Sequence, residues 1–229
     1  MHKEVILMPS LHLFDIVGPA MIGPSSSHTA GAVRIGQVVR NLLEQPVERA
    51  KIGLHGSFAM TYKGHGTDRA LAGGLMGLSV DDPGIRSSLI ASKKQGVIIE
   101  FERINIQGAH PNTVLINAQG GGRSVEIQAS SIGGGSIVVS AIDGVDVDFS
   151  GDEHTLIVSH RDAPGVIASV SSVLAKHGIN IAAMKVSRTA AGQKAIMVLE
   201  LDALPDASAM SEIDGKEYTD KVTLLPKRI

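Results

Sequence analysis

Between His154 and Leu225 the apolar pattern switches between the period of a strand and that of a helix, and this constrains the C-terminal fold more than any other feature. His154–His160 reads as a strand. Pro164–Lys176 reads as a helix, with proline near its start and Gly178 just past its end. Ile179–Thr189 is a second strand, Ala190-Ala191-Gly192-Gln193 a turn, and Lys194–Leu201 an alternating third strand. Pro205–Ile213 is a short helix, and Tyr218–Leu225 the last strand. Strand, helix, strand, strand, helix, strand is the split βαβ order of a ferredoxin-like sheet.

Upstream the pattern differs. A boundary falls near Asp148–Asp152, dividing the chain into residues 1–148 and residues 153–229. Ala32, Val33, Ile35, Val38, Val39, Leu42 and Leu43 recur at spacings of three and four, which predicts an amphipathic helix from about Ser27 to Leu43. Val47–Leu54 reads as a strand, His55-Gly56-Ser57 as a turn, and Phe58–Tyr62 as a single helical turn broken at Lys63-Gly64-His65-Gly66. Helices follow from Thr67 or Asp68 through Met76 and from Gly84 to Lys94. Strands then run over Val97–Ile106, Thr113–Ala118, Ser124–Ser130 and Ser136–Ile142, with Gly133-Gly134-Gly135 turning a hairpin. The predicted fold class is α+β, in two domains.

Composition narrows the functions open to such a fold. A net charge of −2 gives no electrostatic case for nucleic acid or an anionic membrane, and 3% aromatics leave few stacking platforms. There is no apolar run of membrane-spanning length, and the apolar patch Val5–Met8 is too short for a signal-peptide core, so a cytoplasmic protein is expected. Cysteine is absent, which excludes disulfides, thiol nucleophiles and thiolate-bound metal within the chain.

The chemistry-bearing residues cluster in short motifs. Gly23-Pro24-Ser25-Ser26-Ser27-His28-Thr29 places hydroxyls and an imidazole at a predicted helix start, where free N–H groups attract a carboxylate or phosphate. His28, His65 and His110 are the candidates for acid–base work, because imidazole titrates close to neutral pH. His28, His55, His65 and His110 match no compact ligand spacing, so no metal site is expected in this chain. Ser27 and His28 are neighbours at a helix start, where adjacent side chains diverge; a serine nucleophile with a histidine base is therefore not expected.

Two resemblances sharpen this reading. Arg161-Asp162-Ala163-Pro164-Gly165-Val166 and His177-Gly178-Ile179-Asn180-Ile181 resemble an ACT domain, over roughly residues 153–226. That resemblance implies an amino-acid ligand at the turn carrying Asp162, Gly165 and Val166, and pairing between ACT domains. Phe14-Asp15-Ile16-Val17-Gly18-Pro19, Ile22 through Thr29, His55-Gly56-Ser57-Phe58-Ala59, Gly64-His65-Gly66-Thr67-Asp68, His110-Pro111-Asn112 and Ser131-Ile132-Gly133-Gly134-Gly135 resemble the β chains of iron–sulfur-dependent L-serine dehydratases.

The second resemblance covers essentially the whole chain. It implies a partner α subunit whose cysteines hold a 4Fe-4S cluster, L-serine as substrate, and no pyridoxal phosphate. It places His65, His28, His110 and Asn112 in catalysis, with His65 favoured as base and Asp68 able to orient it. Ser25, Ser26, Ser27, Thr29, Ser57, Gly66, Thr67 and Asp68 would bind substrate. Serine catabolism and gluconeogenesis are the implied setting. The competing expectation is a non-catalytic amino-acid sensor, because the first domain also resembles an allosteric substrate-binding domain of some phosphoglycerate dehydrogenases.

Overall fold

The structure is a computed structural model and describes residues 23–227. The motif Phe14–Pro19, Ile22 and the patch Val5–Met8 lie outside the described residues. Helix α1 (Ala30–Leu43) opens the described chain and is followed by β1 (Arg49–Leu54). Helices α2 (Gly56–His65), α3 (Thr67–Leu75) and α4 (Ser88–Lys94) then cross over to β2 (Ile98–Arg103). Strands β3 (Thr113–Gly120), β4 (Arg123–Gly133), β5 (Ser136–Ile142) and β6 (Val145–Phe149) form an antiparallel meander. The six-stranded sheet has the order β2-β1-β3-β4-β5-β6, with β1 and β2 parallel. A parallel pair needs a crossover, which is where the three helices sit.

The second sheet is built from β7 (His154–Arg161), β8 (Ile181–Arg188), β9 (Lys194–Leu201) and β10 (Thr219–Leu225), joined by α5 (Val166–Lys176) and α6 (Ala207–Asp214). Its order, β10-β7-β9-β8, is antiparallel throughout. This is the split βαβ topology, and the two-domain α+β class holds.

Three local expectations need correction. The chain does not break at Lys63-Gly64: α2 runs on through His65. Glycine inside a helix costs only about 1 kcal/mol against alanine, a cost that packing offsets. The break comes one residue later, at Gly66. Its φ of +74° serves as the C-cap of α2 and the N-cap of α3 together. The predicted Gly84–Lys94 helix is divided into a 3-10 turn over Pro83–Ser87, whose start Asp82 caps through the Gly84 N–H, and α4. Strand β6 was not expected at all; its alternating Val145, Val147 and Phe149 are buried under the sheet.

Helix α1 is the spine of the molecule. Val33, Ile35, Val39, Leu42 and Leu43 face the six-stranded sheet and are buried. Each large aliphatic side chain so buried contributes about 1.5–3 kcal/mol. On its flank α1 meets α3 with no side-chain layer between them. A Cβ on Gly74 would stand 2.0 Å from the Val33 carbonyl oxygen, and one on Gly36 would stand 2.6 Å from that of Leu71.

The two sheets share one core. Ile157, Ile196, Val198 and Leu225 of the second sheet join the first domain's apolar cluster, while the opposite face of that sheet packs on α5 and α6. Glu44, the left-handed C-cap of α1, ties the parts together. It pairs with Arg123 of β4, lies 3.6 Å from Lys221 and accepts a hydrogen bond from Thr223, both on β10.

Candidate active site

The site forms where the first turn of α1, both ends of α2 and the ends of β3 and β4 converge. Residues 25–29 form an irregular turn in front of α1, which begins at Ala30 rather than Ser27. Thr29 is the N-cap and makes no side-chain cap. The serine hydroxyls are engaged on His28 instead. Ser25 Oγ lies 3.2 Å and Ser27 Oγ 3.1 Å from His28 Nδ1. The expectation that Ser27 and His28 diverge is therefore wrong, because the turn is not yet helical and brings them together.

That contact does not make a nucleophile–base pair of the kind seen in hydrolases. Nδ1 is shared by two hydroxyls, and Nε2 is bonded to a third, Ser57 Oγ at 3.2 Å. Among the described residues no carboxylate orients the ring, as the usual triad would require.

His28 is only 8% exposed and packs edge-on against Phe58, with ring centroids 5.2 Å apart. It also meets His65 edge-on, with centroids 4.7 Å apart and planes at 84°. Burial, and then the neighbouring His65, hold the His28 imidazole below its ordinary pKa.

His65 ends α2 and lines a cavity of about 510 Å³ together with Gly23, Pro24, Thr29, Gly64, Gly66, Arg69, Ile85 and Arg86. Its Nδ1 is buried without a hydrogen-bond partner among the described residues. The same holds for Thr29 Oγ1, Thr67 Oγ1, Asn112 Oδ1 and Ser131 Oγ. Buried polar atoms are nearly always paired, and two of these orphans, His65 Nδ1 and Thr29 Oγ1, belong to residues that line the cavity.

Asn112 is tied to β4 and does not line the cavity: its side-chain amide reaches the Ser131 carbonyl, and its backbone carbonyl accepts from the Ser131 N–H. Pro111 is held on the start of α2, its carbonyl accepting from the Ser57 N–H. His110, by contrast, is exposed; its Nδ1 accepts from the Asn112 N–H in a local turn, and it does not line the cavity. Asp68 is buried but accepts from the Arg69 N–H, with no bond to His65. Ser26 contributes its carbonyl to the Gly31 N–H.

In the second domain Asp162 accepts from the Gly192 N–H and from Arg188, stapling the β8–β9 turn. These two contacts hold its carboxyl below the usual carboxylate range. Gly165 caps α5 in the left-handed conformation with open space around it, and Val166 is buried.

Sequence reasoning did not foresee the packing of Ser131 against α1. Ser131 is fully buried, and its Oγ lies where a Cβ on Gly31 would stand, 2.0 Å away, on the first turn of α1. The Gly-rich motif following Ser131 was visible, but its contact with a helix a hundred residues earlier was not. Arg69 and Arg86 were missed as well. Arg69 follows the Thr67-Asp68 motif directly, whereas Arg86 carries no motif signal.

A cluster of iron and sulfur needs thiolate ligands. This chain has no cysteine, and among the described residues no group of three or more His, Cys, Asp or Glu side chains is placed to hold a metal ion. The residues present do not fit such a group on their own.

Comparison with known proteins identifies the family. Residues 11–95 match the serine dehydratase beta chain family, and residues 154–216 match the ACT domain. The chain is 43% identical over 211 residues to the probable L-serine dehydratase, beta chain, of Bacillus subtilis (strain 168), covering 92% of this chain and 96% of that one. It is 36% identical over 212 residues to the L-serine dehydratase, beta chain, of Peptoniphilus asaccharolyticus, with the same coverage. A more distant similarity, 27% over 173 residues, links it to one third of the D-3-phosphoglycerate dehydrogenase of Bacillus subtilis (strain 168). The fold joins an ACT sheet to an α+β domain that bears an edge-to-face histidine pair. The chain belongs to the L-serine dehydratase beta-chain family. Among the described residues no helix is long and apolar enough to cross a membrane.

Proposed function

We propose that this chain is the β subunit of a two-chain, cytoplasmic L-serine dehydratase, acting with an α subunit that holds the 4Fe-4S cluster. The observation that carries the reading is the edge-to-face His28–His65 pair, with His65 and the unpartnered Thr29 hydroxyl lining one cavity. The net reaction converts L-serine to pyruvate and ammonia. A proton leaves Cα, its electron pair forms the Cα–Cβ double bond, and the hydroxyl leaves Cβ as water. The resulting aminoacrylate tautomerises to an imine, which takes up water and releases ammonia.

This chain supplies the proton acceptor and the walls. His65 is the base, because it lines the cavity and one of its ring nitrogens has no partner among the described residues. His28 has both nitrogens bonded to serine hydroxyls, so it positions His65 rather than transferring protons. Its depressed pKa keeps it neutral near pH 7, which avoids a second positive charge beside the base. Thr29, on the cavity lining, offers a hydrogen bond to substrate. Asp162, Gly165 and Val166 form the turn at which an ACT ligand would sit.

The test is anaerobic pyruvate formation from L-serine by this chain alone, and then with its cluster-loaded α chain. Activity only in the mixture, and no iron in the isolated chain by metal analysis, are the expected results. An inactive mixture with an intact cluster would favour an amino-acid sensor.

A further inference from the structure

We infer that Arg86, with Arg69, recognises the carboxylate of the substrate at the His65 cavity. The inference deepens the reading above and rests on it. Arg69 stands on the first turn of α3 and Arg86 in the 3-10 turn that packs against that helix, so two separate elements bring guanidinium groups to one cavity. Among the described residues the lining holds no aspartate or glutamate. The arginine ion pairs among the described residues involve Arg34, Arg123 and Arg188, leaving Arg69 and Arg86 without a carboxylate partner. Arg40, Arg49, Arg103 and Arg161 likewise form no ion pair among the described residues, so what sets Arg69 and Arg86 apart is that both converge on one cavity.

An arginine fork facing a concave wall binds a planar carboxylate through two parallel N–H···O bonds. The cavity volume of about 510 Å³ lies in the range of small-molecule sites. A recess of this volume accommodates a small carboxylate. Placing the carboxylate at the arginines directs the remainder of an α-amino acid toward His65 and the orphaned Thr29 hydroxyl on the same wall.

The decisive experiment uses the assembled α–β enzyme with Arg86→Gln, Arg69→Gln and Arg86→Lys. Loss of a charge-assisted pair raises KM for L-serine about tenfold or more in Arg86→Gln, with kcat little changed, and Arg86→Lys recovers part of it. Subunit association, followed by sedimentation, stays as in the unaltered enzyme. In parallel, sodium L-lactate is titrated into the 15N-labelled complex, and the Arg69 and Arg86 Nε–H signals shift and saturate. An unchanged KM in an active enzyme, or a KM change that disappears when the α chain is in excess, overturns the inference. So do arginine signals that do not respond to lactate. Failure of the dehydratase reading shows separately, as absence of pyruvate from the unaltered complex.

Discussion

His28 and His65 meet at right angles, their ring centroids 4.7 Å apart, although 37 positions of chain and two helix starts separate them. The pair divides the labour of one site: one ring is fixed by three serines, and the other faces the cavity. His65→Ala should therefore lower turnover of the assembled enzyme by about 10²–10⁴-fold while leaving assembly intact. His28→Asn should lower it less, and through geometry. Pyruvate assays on both variants, with sedimentation as the assembly control, check this order; equal losses would remove the distinction.

The buried His28 also makes stability depend on pH. Its folded pKa lies below the ordinary 6.5, because burial and His65 disfavour the charged ring. On acidification the unfolded chain takes up the proton more readily than the folded one. Stability is thus present above about pH 6.5 and falls as pH drops below it. Calorimetry at about pH 7.5 and pH 5.5 should show a smaller drop in melting temperature for His28→Asn than for the unaltered chain.

The α1–α3 crossing leaves no room at Gly74. With a Cβ at 2.0 Å from a carbonyl oxygen, Gly74→Ala must push two backbones apart. Overpacking of this kind costs about 1–3 kcal/mol or more, measurable by urea unfolding. Gly64→Ala is the contrasting control. A Cβ there meets nothing within 4 Å, and alanine suits a helix interior, so that variant should be neutral or more stable by up to about 1 kcal/mol.

Glu44 combines a left-handed backbone, φ +58°, with contacts to Arg123, Lys221 and Thr223. Glu44→Ala loses the contacts and keeps the strain; Glu44→Gly loses the contacts and relieves it. The glycine variant should be the more stable of the two by about 1 kcal/mol. Paired urea titrations test the sign.

Legibility from sequence followed the range of the interactions. The ferredoxin-like order was readable, because each element carries its own period and its own caps; Lys194–Leu201 matches β9 residue for residue. The histidine motifs were readable as motifs, but their meeting was not. The contact of His28 with Ser57 links two elements that local patterns cannot bring together. Glycine misled in one place: Gly64 reads as a breaker yet lies inside α2, while Gly66 carries the positive φ. Ser131 and Arg86 are ordinary residues whose significance comes entirely from what folds against them.

Ile157, Ile196, Val198 and Leu225 point out of the ACT sheet and into the core of the first domain. In many architectures a regulatory module hangs on a linker and can be exchanged between genes like a cassette. Here the exchange would have to carry its bedding with it: a foreign module lacking that aliphatic quartet would leave α1, and so His28, resting on a hole. The boundary that looks like a convenient cut in the sequence is, for heredity, a seam that has to be inherited whole.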